Sequence, residues 1–220
     1  MTNTKNFWNN KKVFLTGHTG FKGTWFTTWL LNLGANVCGY SLEAEQNSLF
    51  RYINNMNNNN KTQKFKSITA NLKDRDILYS SIKNFQPEIV FHFAAQPLVR
   101  KSYIDPIETW ESNLMGSLYL LEALRQIKHK CAVVVITTDK VYKNKKISSG
   151  YSENDQLGGY DPYSASKACL EYAVESWRLS FVGEESYQNR FLSIATARAG
   201  NVIGGGDWAV DRIIPDAINS

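Results

Sequence analysis

Short apolar runs alternate with longer stretches in which apolar residues recur every three or four positions, and the alternation repeats along most of the 220 residues. Lys12-Val13-Phe14-Leu15-Thr16 reads as a first strand, Thr24 to Leu33 as a helix stopped by Gly34, and Asn36 to Tyr40 as a second strand. Phe65 to Thr69 predicts a third strand, with Asp74 placed to cap a helix that runs to Asn84. Glu88 to Phe93, introduced by Pro87, reads as a buried-type strand, and Ala132 to Ile136 has the unbroken apolar character of a strand covered on both faces. Between them the spacing predicts a long helix over Ile107 to Ile127 whose inward face carries Trp110, Leu114, Ser117, Leu121 and Leu124. A further helix begins after Pro162, and Phe191 to Thr196 supplies another strand. The expected fold is therefore α/β, a doubly wound parallel sheet of Rossmann type with helices on both faces.

In such a sheet, ligands and reacting groups collect beyond the carboxyl ends of the strands. Gly17, Ala94-Ala95-Gln96, Thr138-Asp139-Lys140 and Arg198-Ala199-Gly200-Asn201 all fall there. Gly17-His18-Thr19-Gly20-Phe21-Lys22-Gly23 stands between the first strand and its helix. A glycine turn in that place lets backbone approach a pyrophosphate, and the helix N-terminus offers free N–H groups to it. Tyr163 and Lys167 lie four residues apart, on one face of a helix, so phenol and ammonium can address one ligand. A free tyrosine titrates near pH 10, about three units too high for a base at neutrality, and a fixed cation one turn away would bring the phenol down. Trp25 and Trp29 on the first helix are expected to pack against the sheet.

These blocks carry a resemblance. The Thr-Gly-x-x-Gly-x-x-Gly turn and the Tyr-x-x-x-Lys pair resemble the extended short-chain dehydrogenase/reductases. Gly17 to Gly23, Ala94 to Arg100, Thr137 to Tyr142, Gly158 to Tyr163 and Ala197 to Trp208 are similar to the CDP-glucose 4,6-dehydratases within that superfamily. Thr138-Asp139-Lys140 matches that group, whereas the related dTDP-glucose enzymes carry Thr-Asp-Glu and the 4-epimerases lack the acid–base pair. The resemblance implies an NAD-dependent lyase that turns CDP-glucose into its 4-keto-6-deoxy product and water, supplying deoxysugars for surface polysaccharide.

It implies these roles: Tyr163 takes the 4-hydroxyl proton, Lys167 holds the nicotinamide ribose, Thr138 donates to the 4-oxygen, Asp139 protonates the departing 6-hydroxyl, and Lys140 removes the 5-proton or positions the group that does. NAD would contact Gly17, Thr19, Gly20, Phe21, Lys22, Gly23, Ser41, Asn71, Leu72, Ala94, Ala95, Gln96, Thr137, Tyr163 and Lys167. Gln96, Arg100, Thr138, Asn201, Trp208 and Arg212 would contact the sugar nucleotide, with Arg198 nearby. Ser41 stands where NAD-binding chains usually place an acid, and Lys22 is read as a neighbour of the pyrophosphate. Asn113 is an expected buried organiser. Residues 1–200 would form the NAD-binding domain and 201–220 the start of a substrate domain, because the family continues well past Ser220 and the chain looks C-terminally truncated. Two alternatives stay open: another enzyme of the superfamily (a 4-epimerase or a reductase), or a catalytically silent dinucleotide-binding module. The resemblance also implies a homodimer.

Composition changes this little. The chain is 43% hydrophobic and 20% charged, with net charge +5 from 25 basic and 20 acidic residues, a dispersed excess that gives no nucleic-acid footprint. Lys143 to Lys146 reads as a solvated basic flap and Asn54 to Asn60 as a mobile low-complexity loop. Cys38, Cys131 and Cys169, like His18, His92 and His129, lack the spacing of a metal site, and three cysteines make no even disulfide set. With neither signal peptide nor membrane span read in the sequence, a cytoplasmic enzyme without metal is expected.

Overall fold

A computed structural model describes residues 2–56, 64–146, 150–185 and 187–219. Its elements, in chain order, are α1 (Thr2–Trp8), β1 (Lys12–Thr16), α2 (Phe21–Asn32), β2 (Asn36–Ser41), α3 (Leu49–Met56), β3 (Phe65–Thr69), α4 (Arg75–Phe85), β4 (Ile89–His92), α5 (Val99–Ile104), α6 (Pro106–Trp110), α7 (Gly116–Arg125), β5 (Cys131–Ile136), α8 (Pro162–Phe181), β6 (Leu192–Ala197) and α9 (Ile213–Asn219). The six strands form one parallel sheet in the order β3-β2-β1-β4-β5-β6. Winding reverses between β1 and β4, so a crevice opens at their carboxyl ends.

Strand alternation divides the core. Phe14 of β1 points into a layer with Leu78, Ile82, Leu120, Leu121, Leu124 and Leu170, from α4, α7 and α8. Val13 and Leu15 point the other way, onto Leu30 of α2 and the aromatic group Phe26, Phe91 and Phe93. Side chains of Phe14, Leu15, Leu120 and Leu121 are wholly buried, each worth about 1.5–3 kcal/mol of transfer from water.

Strand boundaries follow the sequence pattern closely; several helical expectations change. Asp74 stands at the N-cap of α4, but its carboxylate accepts from the Asn71 N–H at 2.9 Å and caps the preceding turn instead. The expected long helix runs unbroken over residues 106–125, as α6, a π-helical turn over Glu111–Met115, and α7. A π turn adds a residue and rotates the face that follows it. Thr109, Asn113 and Ser117 therefore point inward, while Trp110 and Leu114 are only half-buried. α8 opens on a capping box between Asp161 and Ser164, with Pro162 at its first position. Trp25 and Trp29 do not lie under the sheet: both are about half exposed, and Trp25 donates to the Gly205 carbonyl at 2.9 Å. α3 was not expected from the sequence; it takes in Asn54 and Asn55, and residues 57–60 of the Asn-rich stretch lie outside the described residues. The three cysteines are free, Cys38 and Cys131 deep in the core. Among the described residues no helix is long and apolar enough to cross a membrane, and no group of His, Cys, Asp and Glu could hold a metal ion.

Candidate active site

The glycine turn is built by three different constraints. Gly17 has φ +75°, and a Cβ there would stand 2.7 Å from the Ala94 nitrogen, so the turn after β1 and the loop after β4 touch backbone to backbone. Gly23 lies where α2 crosses that turn, and a Cβ would meet the Gly17 oxygen at 2.0 Å. Gly20 differs: the nearest protein atom to an added Cβ is 3.4 Å away, so the protein itself does not require glycine there. What Gly20 keeps clear is the crevice. Gly20 is also the N-cap of α2 and supplies no side chain to its first N–H groups, which remain available to an anion.

A cleft of about 580 Å³ runs along this turn. Gly17, Thr19, Gly20, Phe21, Lys22 and Gly23 form one wall, and Ser41, Asn71 and Leu72 close the end under β2 and β3. Ala94 and Ala95 form the floor, and Thr137, Tyr163 and Lys167 close the other end. Trp208 and Arg212 come over the top, with Gly206, Asp207 and Ala209. The glycine run after Asn201 is anchored there by Trp25 and by Gly206, whose positive φ and contact with Leu49 leave no room for a side chain. Loss of solvation and the Arg212 guanidinium hold the Lys22 ammonium below its ordinary pKa, with Asp207 opposing. Ser41 shares a 2.7 Å hydrogen bond with the Thr19 hydroxyl, which also donates to the Leu42 carbonyl at 3.1 Å. His18 turns away from the cleft: its ring occupies the space left by Gly39 and bonds Ser67 at 2.7 Å, and burial lowers its pKa to about 4.

Tyr163, Lys167 and Glu171 occupy successive turns of one face of α8, and all three are buried. Lys167 donates to the Ile136 carbonyl at 3.1 Å. Burial, with Lys22 adding to it and Glu171 opposing, lowers its pKa to about 7. Burial raises the Tyr163 pKa, and the adjacent Thr138 hydroxyl and the Arg212 guanidinium pull it back, against Asp139 and Asp161. The expected lowering of the phenol by Lys167 is therefore not what the free chain shows. Its ammonium faces the end of β5, and desolvation of the phenol dominates.

Thr138, fully extended at φ −150°, leads from β5 into a single 3₁₀ turn, Asp139–Val141. Its hydroxyl bonds the Asp139 carboxylate at 3.1 Å, and the Lys140 ammonium reaches the Asn201 side-chain oxygen at 3.4 Å. Asp139 and Lys140 are exposed beside the buried Thr138 and Tyr163. The strand end thus presents an acid, an amine, a hydroxyl and a phenol within one short stretch of surface, with Asn201 joined to it.

Three expected ligand residues are engaged elsewhere. The Gln96 side chain donates to the Leu98 carbonyl and the Thr109 hydroxyl, at 3.1 and 2.9 Å, and accepts from the Leu98 N–H at 2.6 Å. A carboxamide so occupied shapes its loop. Arg100 is exposed and pairs with Asp211 at 2.7 Å, outside the cleft. Arg198 pairs with the buried Glu171 at 3.1 Å, bonds the Tyr142 hydroxyl at 3.0 Å and lies over its ring. Glu171 also takes hydrogen bonds from Thr137 and Thr196, so this pair ties α8 to the ends of β5 and β6. Asn113 is the buried organiser expected of it, bonded to both the N–H and the carbonyl of Gln96. The sequence reading missed the segment from Leu42 to Leu49, which lines the cleft next to Ser41 without a motif of its own.

With this geometry in place, comparison with known proteins decides the family. A family profile described as GDP-mannose 4,6 dehydratase matches residues 14–191. The chain belongs to that family. CDP-glucose 4,6-dehydratase of Salmonella typhimurium is 50% identical over 217 residues, which is 98% of this chain and 59% of that protein. The dTDP-D-glucose 4,6-dehydratase of Dictyostelium discoideum is 30% identical over 95% of this chain and 48% of its own length. The chain thus spans about half to three fifths of these curated relatives. Among solved structures, MoeE5 in complex with UDP-glucose and NAD is similar at a TM-score of 0.75 and 26% identity, over 94% of this chain and 60% of that one. UDP-glucose 4-epimerase of Thermus thermophilus in complex with NAD matches at 0.67 and 26%, over 84% and 54%.

The glycine turn yields a paired prediction. Gly23→Ala overlaps backbone and should destabilise the fold by about 1–3 kcal/mol or more, as overpacked sites do. Gly20→Ala should leave thermal unfolding within about 1 kcal/mol of the parent, yet weaken dinucleotide binding at least tenfold, because its methyl group enters the cleft. Thermal melts with and without NAD, on both variants, check the contrast.

Proposed function

We propose that this chain carries the cofactor site and acid–base residues of a nucleotide-sugar 4,6-dehydratase acting on CDP-glucose with NAD. The observation that carries the reading is the convergence of Thr138, Asp139, Lys140 and Tyr163 at the end of β5, beside the cleft under the glycine turn. The residues present fit a dinucleotide: Gly20 keeps a pyrophosphate-sized approach open, Ala94 and Ala95 let a ligand pass close, and the buried Lys167 borders the same space. The relatives support the choice of nucleotide sugar and cofactor, through the half-identical CDP-glucose enzyme and the NAD complexes of similar fold.

NAD, when bound, supplies the one group able to accept a hydride and return it. The chain's own residues move the protons. Tyr163 takes the proton of the sugar 4-hydroxyl, which requires a phenol pKa lower than burial alone allows, and the Thr138 hydroxyl beside it stabilises the 4-oxygen. A 4-ketone makes the 5-proton acidic, and Lys140 removes it. Asp139 protonates the 6-oxygen as water departs. Lys167, an ammonium without a carboxylate in direct hydrogen-bond contact, binds the ribose hydroxyls and holds them in place. Net chemistry is loss of water with no net oxidation.

In this reading residues 1–200 form the dinucleotide domain, and 201–220 begin the substrate-binding part that folds back over the cleft through Trp208 and Arg212. It places the enzyme in the cytoplasm, supplying 4-keto-6-deoxy sugars for surface polysaccharide. Exposed Ile104, Ile107, Tyr172 and Leu179 on α5, α6 and α8 support a homodimer, which sedimentation would detect and a monomer would contradict.

Tyr163→Phe should abolish both the transient nicotinamide absorbance change and the 4-keto product. Asp139→Asn and Lys140→Ala should keep the first hydride transfer and lose product about 10²-fold or more, as expected for removal of a proton-transfer group. Undiminished 4-keto-6-deoxy product from Lys140→Ala would remove Lys140 from the mechanism. Stereochemical inversion without water loss would favour an epimerase.

A further inference from the structure

His92, the last residue of β4, is buried to 1% exposure between the sheet and α7, with no part in the acid–base set. Both ring nitrogens are engaged, Nδ1 with the Thr16 hydroxyl at 2.6 Å and Nε2 with the Ser117 hydroxyl at 2.7 Å. The neighbouring bonds fix every proton. Ser117 donates to the Asn113 carbonyl at 2.7 Å, so its oxygen accepts from His92 Nε2–H. Nδ1 is then an acceptor, and Thr16 donates to it while accepting from the Ala94 N–H at 3.2 Å. Beyond Ser117, the Asn113 carboxamide accepts from the Gln96 N–H at 2.7 Å and donates to the Gln96 carbonyl at 3.1 Å and to Ser166 at 3.0 Å. Ser166 donates to the Tyr163 carbonyl at 2.7 Å. Two runs of hydrogen bonds, one ending on the Asn113 carbonyl and one starting from its carboxamide, therefore link the cleft floor beside the glycine turn to the first turn of the helix that carries Tyr163.

A buried histidine with both nitrogens satisfied is ordinarily a core residue. Here, however, the two runs end on backbone at Ala94, Gln96 and Tyr163, and two of these residues line the cleft. Gly17 presses on Ala94 from the other side. A shift of the ring would therefore move the cleft floor against the tyrosine.

We propose that His92 is a positioning residue for the dinucleotide site, held as the neutral Nε2–H tautomer so that the glycine turn and α8 keep the separation the cofactor needs. The proposal rests on the dinucleotide reading given above. A neutral ring also suits its setting, since burial and the nearby Lys167 ammonium depress its pKa to about 3.

The two hydrogen bonds of the ring can be cut separately. An asparagine oxygen reaches about where Nδ1 stands and can accept from Thr16; a glutamine nitrogen reaches about where Nε2 stands and can donate to Ser117. NAD titration calorimetry on the 220-residue chain, with thermal unfolding in the absence of NAD, reads the outcome. His92→Phe should weaken NAD roughly tenfold, with His92→Asn recovering most of the affinity and His92→Gln less, an order independent of the melting temperatures. If His92→Phe does not fold, the Asn and Gln variants carry the same comparison. Affinities of all folded variants equal to that of the parent, with only their melting temperatures lowered, would overturn the proposal and make His92 a core residue. A parent chain that binds no NAD would overturn the dinucleotide reading and this proposal with it.

Discussion

A lysine ammonium buried at the end of β5 is the constraint around which the site is arranged. Isolated burial of a charge is expensive enough that the group tends to lose its proton, and the Lys167 pKa of about 7 shows how far that tendency runs here. What keeps the ammonium tenable is the Ile136 carbonyl and, one turn along α8, the Glu171 carboxylate. Glu171 is in turn held by Arg198, Thr137 and Thr196. Breaking such a buried pair is far more destabilising than never having had it, so α8 stays pinned to the ends of β5 and β6. Thr138 follows directly on Thr137, and the acid–base stretch is thereby fixed against Tyr163.

The opposite side of the cleft is held by contacts of another kind. Close backbone approach at Gly17 and Gly23 sets where the turn after β1 lies, and hydrogen bonds through Thr16, His92, Ser117 and Asn113 carry that placement across to α8. Burying hydroxyls, an imidazole and a carboxamide in the layer that holds Leu120 and Leu121 is tolerable because each has a partner; left unpaired, each would cost about 1–3 kcal/mol. Such a network adds little net stability over an apolar core. It does specify one arrangement of three loops around the cleft.

Much of this was legible in the sequence. The strands, the parallel doubly wound sheet and the glycine turn follow from hydrophobic spacing and from glycine placement, which are local signals. Tyr163 and Lys167 share a face because helical geometry demands it. What was not legible depends on tertiary partners. Whether Arg198 faces substrate or Glu171 is decided by a carboxylate 27 residues away in sequence. Gln96, read as a ligand residue beyond a strand end, closes its own loop, while Asn113 of the long helix bridges to α8. The inward turn of Thr109 and Asn113 follows from a π turn that helical spacing does not reveal. The Tyr163 phenol looked activated by its neighbour, but desolvation acts over the whole side chain and outweighs a cation pointed elsewhere.

The most direct test of the account is a structure of this chain with NAD bound. The account places the pyrophosphate over Gly20 at the start of α2, the ribose on Lys167 and the nicotinamide ring beside the Tyr163 hydroxyl. A dinucleotide bound outside the glycine turn, or one whose nicotinamide end lies toward Ser41 with Tyr163 untouched, would contradict it.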